Sequence, residues 1–174
     1  GGPETLVGGG LFRWRGVTRL RFATPQALPD NTVTDIQAAP DGSIWFATRG
    51  GVARYDPGSV NAFTPADHLP GRDARGIAFD TKGVLWVGCE RWGSTLGGGV
   101  WQLDGKITSV LDRTAGFEGS GVHHILRARD SAMWLSVRGV GIVRIQSGLR
   151  SSFGVDQGML GTQVSRQFAE DLDG

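Results

Sequence analysis

Residues 41–48, DGSIWFAT, contain the pattern that decides the fold of this chain. An Asp-Gly pair opens the stretch, and Trp45 stands among β-branched and aromatic residues. The pattern returns as KGVLWVGC at residues 82–89 and as DSAMWLSV at residues 130–137. The three tryptophans are 41 and 48 residues apart. A period of this length indicates that one structural unit occurs several times in the chain.

Each repeat holds four short apolar or β-branched runs, separated by Gly, Pro and Asp turn signals. In the first full repeat the runs are VTDI at 33–36, IWFAT at 44–48, VARY at 52–55 and NAFT at 61–64. Such runs predict four antiparallel strands joined by hairpins, and the Asp-Gly pair suits a turn with positive φ. No window keeps helical spacing over three turns. Four-stranded units of about 40–50 residues predict the blades of an all-β β-propeller.

The repeats predict a single propeller domain over residues 1–174. Its predicted units are the end of a blade at 1–27, full blades at 28–68, 69–116 and 117–157, and the start of another blade at 158–174. Because the last unit stops in mid-repeat, we expect a fragment of a larger ring, with about four blades' worth of sequence. The alternative is that 3–27 and 158–174 together complete a fourth blade and close a small ring.

The composition excludes several classes of protein. The formal net charge is +1, so the chain has no basic surplus for nucleic acid. The single cysteine, Cys89, excludes an internal disulfide and a cysteine-based zinc site. No apolar run reaches the roughly 20 residues that span a bilayer. Glycine, with 29 residues, fits many tight turns.

The first full unit resembles a known repeat. LPDNTVTDI at 28–36, DGSIWFAT at 41–48 and GGVARYD at 50–56 are similar to the two-component regulator propeller repeat. Later units depart from it, since Lys82 and Ser131 replace members of the Asp-Gly pair. The resemblance implies a seven-bladed ring in the sensor region of a bacterial signalling protein, usually periplasmic, followed by downstream signalling domains. It also implies a glycan or other small polar ligand and no cofactor.

The tryptophans at the repeated position have a structural interpretation. Trp45, Trp86 and Trp134 recur at one place on the second strand, where every blade must bury the same face. We therefore expect them to form the core between blades rather than platforms for a sugar.

Two groups of polar residues are candidates for a ligand site. The first is an insertion containing Glu90, Arg91 and Trp92, which follows the second strand and shares a face with Arg72, just before the inner strand of the same blade. The second is a column on the inner strands, formed by Thr34, Arg75, His123 and Arg166. Arginines around the mouth of the central channel would suit a carboxylate or sulfate group.

Other chemistry has less support in the sequence. His123 and His124 are adjacent on a strand, so they cannot easily share a metal ion, and we expect no metal site. No Gly-x-Ser-x-Gly nucleophile motif is present. A propeller lyase that opens cyclic antibiotic esters has similar blades and is one alternative, with His123 or His124 as general base. The other alternative is a scaffold for protein partners. An open ring would also self-associate through bare sheet faces.

Overall fold

A computed structural model describes residues 10–15, 17–22, 28–56, 59–63, 73–90, 98–104, 106–111, 121–161 and 169–171. In these ranges nearly all secondary structure is β-strand. The strands are β1 (Leu11–Arg15), β2 (Thr18–Phe22), β3 (Val33–Ala38), β4 (Ile44–Thr48), β5 (Gly51–Asp56), β6 (Ser59–Phe63), β7 (Asp73–Phe79), β8 (Leu85–Glu90), β9 (Gly99–Asp104), β10 (Lys106–Leu111), β11 (Val122–Arg127), β12 (Met133–Val137), β13 (Gly141–Gln146) and β14 (Leu149–Phe153). A 3₁₀ turn, Val155–Gln157, follows β14. No helix in the described ranges is long and apolar enough to cross a bilayer.

The strands form three four-stranded antiparallel sheets and one two-stranded sheet. Strands β3–β6, β7–β10 and β11–β14 each pair in sequence order, and β1 pairs with β2. We call the three four-stranded sheets blades 1, 2 and 3. The first strand of blade 2 contacts the first strands of blades 1 and 3, so β3, β7 and β11 are the inner strands of the array. The predicted architecture of four-stranded antiparallel units is therefore confirmed.

The turn after each inner strand has the same backbone form. It places one residue at positive φ in each blade: Gly42 at 84°, Gly83 at 79° and Ser131 at 69°. Glycine has no Cβ to disfavour this conformation, which explains the Asp-Gly pair of the repeat. Blade 3 places a serine there, although its sequence otherwise follows the pattern.

An aspartate holds each of these turns by accepting backbone hydrogen bonds. The Oδ1 atom of Asp41 accepts from Ser43 N at 2.9 Å, and that of Asp130 accepts from Ala132 N at 2.9 Å. Blade 2 has Lys82 at this place, and Asp80, two residues earlier, accepts from Val84 N at 3.0 Å instead. In blade 2, Asp80 therefore makes the backbone contact that Asp41 and Asp130 make in the other two blades.

The core lies between neighbouring blades rather than within one. Trp45, exposed by 7%, packs with Ile77 and Leu85 of blade 2, and its ring meets Phe79 edge-on at 6.3 Å. Trp86, exposed by 6%, packs in the same way with Met133 and other residues of blade 3. Trp45 and Trp86 therefore each cover the face of the following blade.

Trp134 differs from the core position that the repeat predicts for it. It is half-buried, and its ring stacks on Phe153 of its own blade at 5.7 Å. The reason is its place in the array: within the described residues, no further four-stranded sheet follows blade 3 to cover this face.

Two glycines allow blades 2 and 3 to come close. Gly76 and Gly88 are cross-strand partners in blade 2. A Cβ at Gly76 would lie 2.8 Å from His124 Cα, and one at Gly88 would lie 2.7 Å from a methyl of Val122. The inner strand of blade 3 thus packs on backbone where blade 2 has no side chains.

Candidate functional site

Each inner strand contains a β-bulge at the same place. The register shifts between Val33 and Asp35 in β3, between Ala74 and Gly76 in β7, and between Val122 and His124 in β11. The residues left without a cross-strand partner are Thr34, Arg75 and His123. A bulge redirects the side chain that it carries. The three described members of the predicted polar column are therefore the three bulge residues.

The bulges lie at one end of the sheets, which we call the upper face. Inner strands begin and second strands end there; the turns held by Asp41, Asp80 and Asp130 lie at the opposite end, the lower face. In blade 1 the bulge residue links two blades, because Thr34 Oγ1 donates to the carbonyl oxygen of Ala74 at 2.6 Å. In blades 2 and 3 the bulge residues face an acidic side chain instead.

Glu90, the last residue of β8, is the centre of this group. Its Oε2 lies 2.7 Å from Arg75 Nη2, and its Oε1 lies 3.0 Å from Arg138 Nη1 and 3.5 Å from His123 Nε2. We call Arg75, Glu90, His123 and Arg138 the Glu90 cluster. It brings together three residues that the sequence analysis selected, from two neighbouring blades.

The backbone supports this arrangement. Glu90 forms an antiparallel bridge with Gly121, just before β11. A Cβ at Gly121 would come 2.8 Å from Glu90 Cα, so only glycine lets the two segments approach so closely. The end of β8 is therefore held beside the start of β11, and Glu90 can reach cations on both blades.

A second carboxylate, that of Asp73, lies next to Glu90 on the neighbouring strand. Asp73 is the cross-strand partner of Glu90, and Arg75 Nη2 lies 2.7 Å from Asp73 Oδ2. Burial raises the pKa of Asp73, although the Arg75 charge offsets part of this effect. Burial also opposes ionisation of Glu90, but Arg75, His123 and Arg138 outweigh it and hold the pKa of Glu90 below its usual value. Asp73 Oδ1 and Arg75 Nε are buried and have no hydrogen-bond partner among the described residues.

Two of the residues that follow the bulges, Asp35 of blade 1 and His124 of blade 3, form a separate electrostatic pair. Asp35 Oδ2 accepts from Ile77 N of the next blade at 2.9 Å. Burial raises the pKa of Asp35 and lowers the pKa of His124, and the charge of each opposes the other's shift. His123 and His124 thus have different partners. Among the described residues, no group of three His, Cys, Asp or Glu side chains is arranged to hold a metal ion.

Four predicted site residues lie outside the described residues. They are Arg72, Arg91, Trp92 and Arg166. One described residue of the cluster, Arg138, is absent from the sequence-based selection. The repeat contains the signal for it, because Arg49, Glu90 and Arg138 each stand four residues after the repeated tryptophan.

The lower face contains two grooves that the sequence does not predict. One lies between blades 2 and 3, has a volume of about 690 Å³, and is lined by Trp86, Gln102 and Arg150 among others. The other lies between blades 1 and 2, has a volume of about 340 Å³, and includes Trp45 and Arg54. Each groove is lined in part by the tryptophan that contacts the next blade.

Solved structures similar to this chain are β-propellers. An extracellular domain assigned to a hybrid two component system of B. thetaiotaomicron matches with a TM-score of 0.71 and 22% identity, over 87% of this chain and 21% of that domain. An extracellular domain assigned to a one component system of the same organism matches with a TM-score of 0.72 and 18% identity, over 95% of this chain and 25% of that domain. A streptogramin B lyase matches with a TM-score of 0.57 and 21% identity, over 78% of this chain and 44% of the lyase.

These likenesses, together with the three sheets, establish the class: the chain is an all-β β-propeller. Residues 27–50 match the family described as two component regulator propeller. The chain therefore carries that repeat, and the resemblance predicted from residues 28–56 is confirmed where the match lies. No curated protein sequence matches the chain.

Proposed function

We propose that this chain is a ligand-binding sensor module of a bacterial signal-transduction protein and that it has no catalysis of its own. Its ligand is a glycan or another small polar molecule, bound at the upper face outside the cytoplasm. The repeat at residues 27–50 and the similarity to extracellular domains of two component systems support the setting. The signal passes to downstream domains of the parent chain, and the blades at 28–68, 69–116 and 117–157 belong to a larger ring.

One observation carries the proposal for the site. Arg75, Glu90 and His123 were selected from sequence positions up to 48 residues apart, and they meet within 3.5 Å at the ends of two blades. Charged side chains concentrated at one end of a repeat array are typical of a binding surface. Trp92, which lies outside the described residues, stands two positions after Glu90 in the sequence, and its apolar ring would bind the same ligand.

The test is thermal unfolding of the chain with a panel of neutral oligosaccharides and uronic acids, with and without Mg²⁺. A compound at about 100 times its dissociation constant should add roughly 2.7 kcal/mol to the free energy of unfolding. The shift should disappear in Trp92→Ala or Arg72→Ala. If no compound moves the transition, the sensor proposal fails and a scaffold for protein partners becomes the better explanation.

A lyase is the second candidate, favoured by one contact as well as by the similarity to streptogramin B lyase. His123 Nε2 is buried, has no hydrogen-bond partner among the described residues and lies 3.5 Å from Glu90 Oε1, so this imidazole nitrogen could act as a general base beside a carboxylate. The lyase hypothesis predicts metal-dependent ring opening of a cyclic ester that is lost in His123→Ala or His124→Ala. Turnover of this kind would replace the sensor proposal.

A further inference from the structure

Glu90 is an exception among the residues at its position in the repeat. Blades 1 and 3 have arginines there, Arg49 and Arg138, whereas blade 2 has a glutamate. The position lies at the upper-face end of the second strand; Glu90 is the last residue of β8, whereas Arg49 and Arg138 lie in the turns that follow β4 and β12. Because two of the three blades have arginine at this position, the repeat does not dictate a carboxylate there.

The surroundings of Glu90 have the composition of an anion site. Its two oxygens face three basic side chains, Arg75, His123 and Arg138, at 2.7 to 3.5 Å, and Arg75 also pairs with the buried carboxylate of Asp73 at 2.7 Å. Arginines that converge on one point are the common means of binding a carboxylate or a sulfate, because they supply charge and several N–H donors. In this structure the oxygens of Glu90 occupy that point.

We infer that Glu90 is a resident carboxylate that fills an anion-binding site formed by Arg75, His123 and Arg138, and that a carboxylate or sulfate group of the ligand binds there by displacing it. This inference rests on the proposed ligand-binding function and names the class of ligand. It makes Glu90 a determinant of affinity, because every anionic ligand must compete with it.

The exposure of the cluster permits such an exchange. The Arg138 side chain is 50% exposed, so a ligand can reach its guanidinium from solvent, whereas Arg75 is 19% exposed and lies deeper. Glu90 is held through its backbone bridge to Gly121, and its side chain can therefore leave while the strand end stays in place.

The exchange also has a structural consequence. The Glu90 side chain ties blade 2 to His123 and Arg138 of blade 3. A ligand anion that replaces it takes over both contacts and joins the blades through itself. Binding would then be felt at the junction between the two blades, which is a means of passing a signal on.

The test uses isothermal titration calorimetry of the chain with sodium sulfate, sodium glucuronate and glucose at fixed ionic strength. Glu90→Gln keeps the size of the side chain and removes the competing charge. We expect it to bind sulfate and glucuronate about tenfold more tightly, the effect of losing roughly 1.4 kcal/mol of competition. Asp56→Asn is the matched control, since it removes another carboxylate paired with an arginine, Arg54, at 2.9 Å. Its anion affinity should not change.

A Glu90→Gln protein that binds both anions no more tightly than the original chain overturns the inference, while any bound glycan leaves the proposed function intact. Binding of glucose without binding of sulfate or glucuronate would likewise overturn the inference and leave the proposed function intact. If no compound binds either protein, both proposals fail. Arg138→Gln provides a second test should Glu90→Gln not fold, since its exposed side chain can be replaced with little effect on packing. Unchanged anion affinity in Arg138→Gln would also overturn the inference.

Discussion

Thr34, Arg75 and His123 occupy one position of the repeat but make three different contacts. The common feature is the bulge, which leaves each of them without a cross-strand partner. A bulge redirects the side chain that it carries, here toward the neighbouring blade or toward the end of β8. A threonine at this position bonds to the next inner strand, whereas an arginine and a histidine reach the same glutamate. At the residue scale, the backbone supplies a repeated place and the side chain determines its chemistry.

Ser131 offers a test of the turn geometry at the residue scale. It holds φ at 69°, where Gly42 and Gly83 stand in the other blades, and a side chain in this region is unfavourable. Ser131→Gly should raise the free energy of unfolding by up to about 1 kcal/mol, measured by urea denaturation. Ser152→Gly, at an exposed position on β14, is the control and should be neutral or destabilising. A loss of stability in Ser131→Gly would contradict the explanation.

At the scale of elements, the important contact is between β7 and β11. Among the described residues β7 and β11 belong to different sheets; they pack against each other, and the closeness depends on Gly76 and Gly88. This packing places His123 beside the end of β8. The position of the Glu90 cluster is therefore a consequence of how two blades pack, in addition to the bulge that carries each side chain.

Gly76→Ala tests that packing. The added methyl group would lie 2.8 Å from His124 Cα and 2.9 Å from Ile125 N, and backbone atoms cannot move aside cheaply. We expect a loss of about 1–3 kcal/mol in the free energy of unfolding. Gly139→Ala is a control for alanine itself, because its Cβ meets open space and only its positive φ of 82° is unfavourable. A loss of less than about 1 kcal/mol in Gly76→Ala would contradict the close packing of blades 2 and 3.

At the scale of the whole molecule, a blade buries its apolar face only when another blade packs against it. Blades 1 and 2 bury their tryptophans on a following sheet, while Trp134 of blade 3 is half-buried. The outer strand of blade 3 is exposed throughout, and Leu149 and Leu160 are exposed by 77% and 109%. An apolar face and an outer strand of this kind favour association.

We therefore propose that the chain self-associates in solution. The measurement is sedimentation velocity over a range of protein concentrations, with a rising average mass as the expected result. Leu149→Lys should shift the equilibrium toward the monomer, because a charge would be placed in the apolar surface. Val17→Lys is the matched control, since Val17 is fully exposed in the turn between β1 and β2 and should leave association unchanged. A monomer at all concentrations would contradict the proposal.

The class of fold, the repeat, the turns and the polar column could be predicted from the sequence, because these are local properties. Strand patterns, an Asp-Gly turn and a recurring tryptophan each lie within a few residues, and the repeat multiplies the signal. The sequence also selected Arg75, Glu90 and His123 as site residues, although only as two separate groups. The contact of Glu90 with both Arg75 of blade 2 and Arg138 of blade 3 is visible only in the folded chain. The physical reason is that this contact depends on the bulges and on the close packing of β7 against β11, which join residues up to 63 positions apart in the chain.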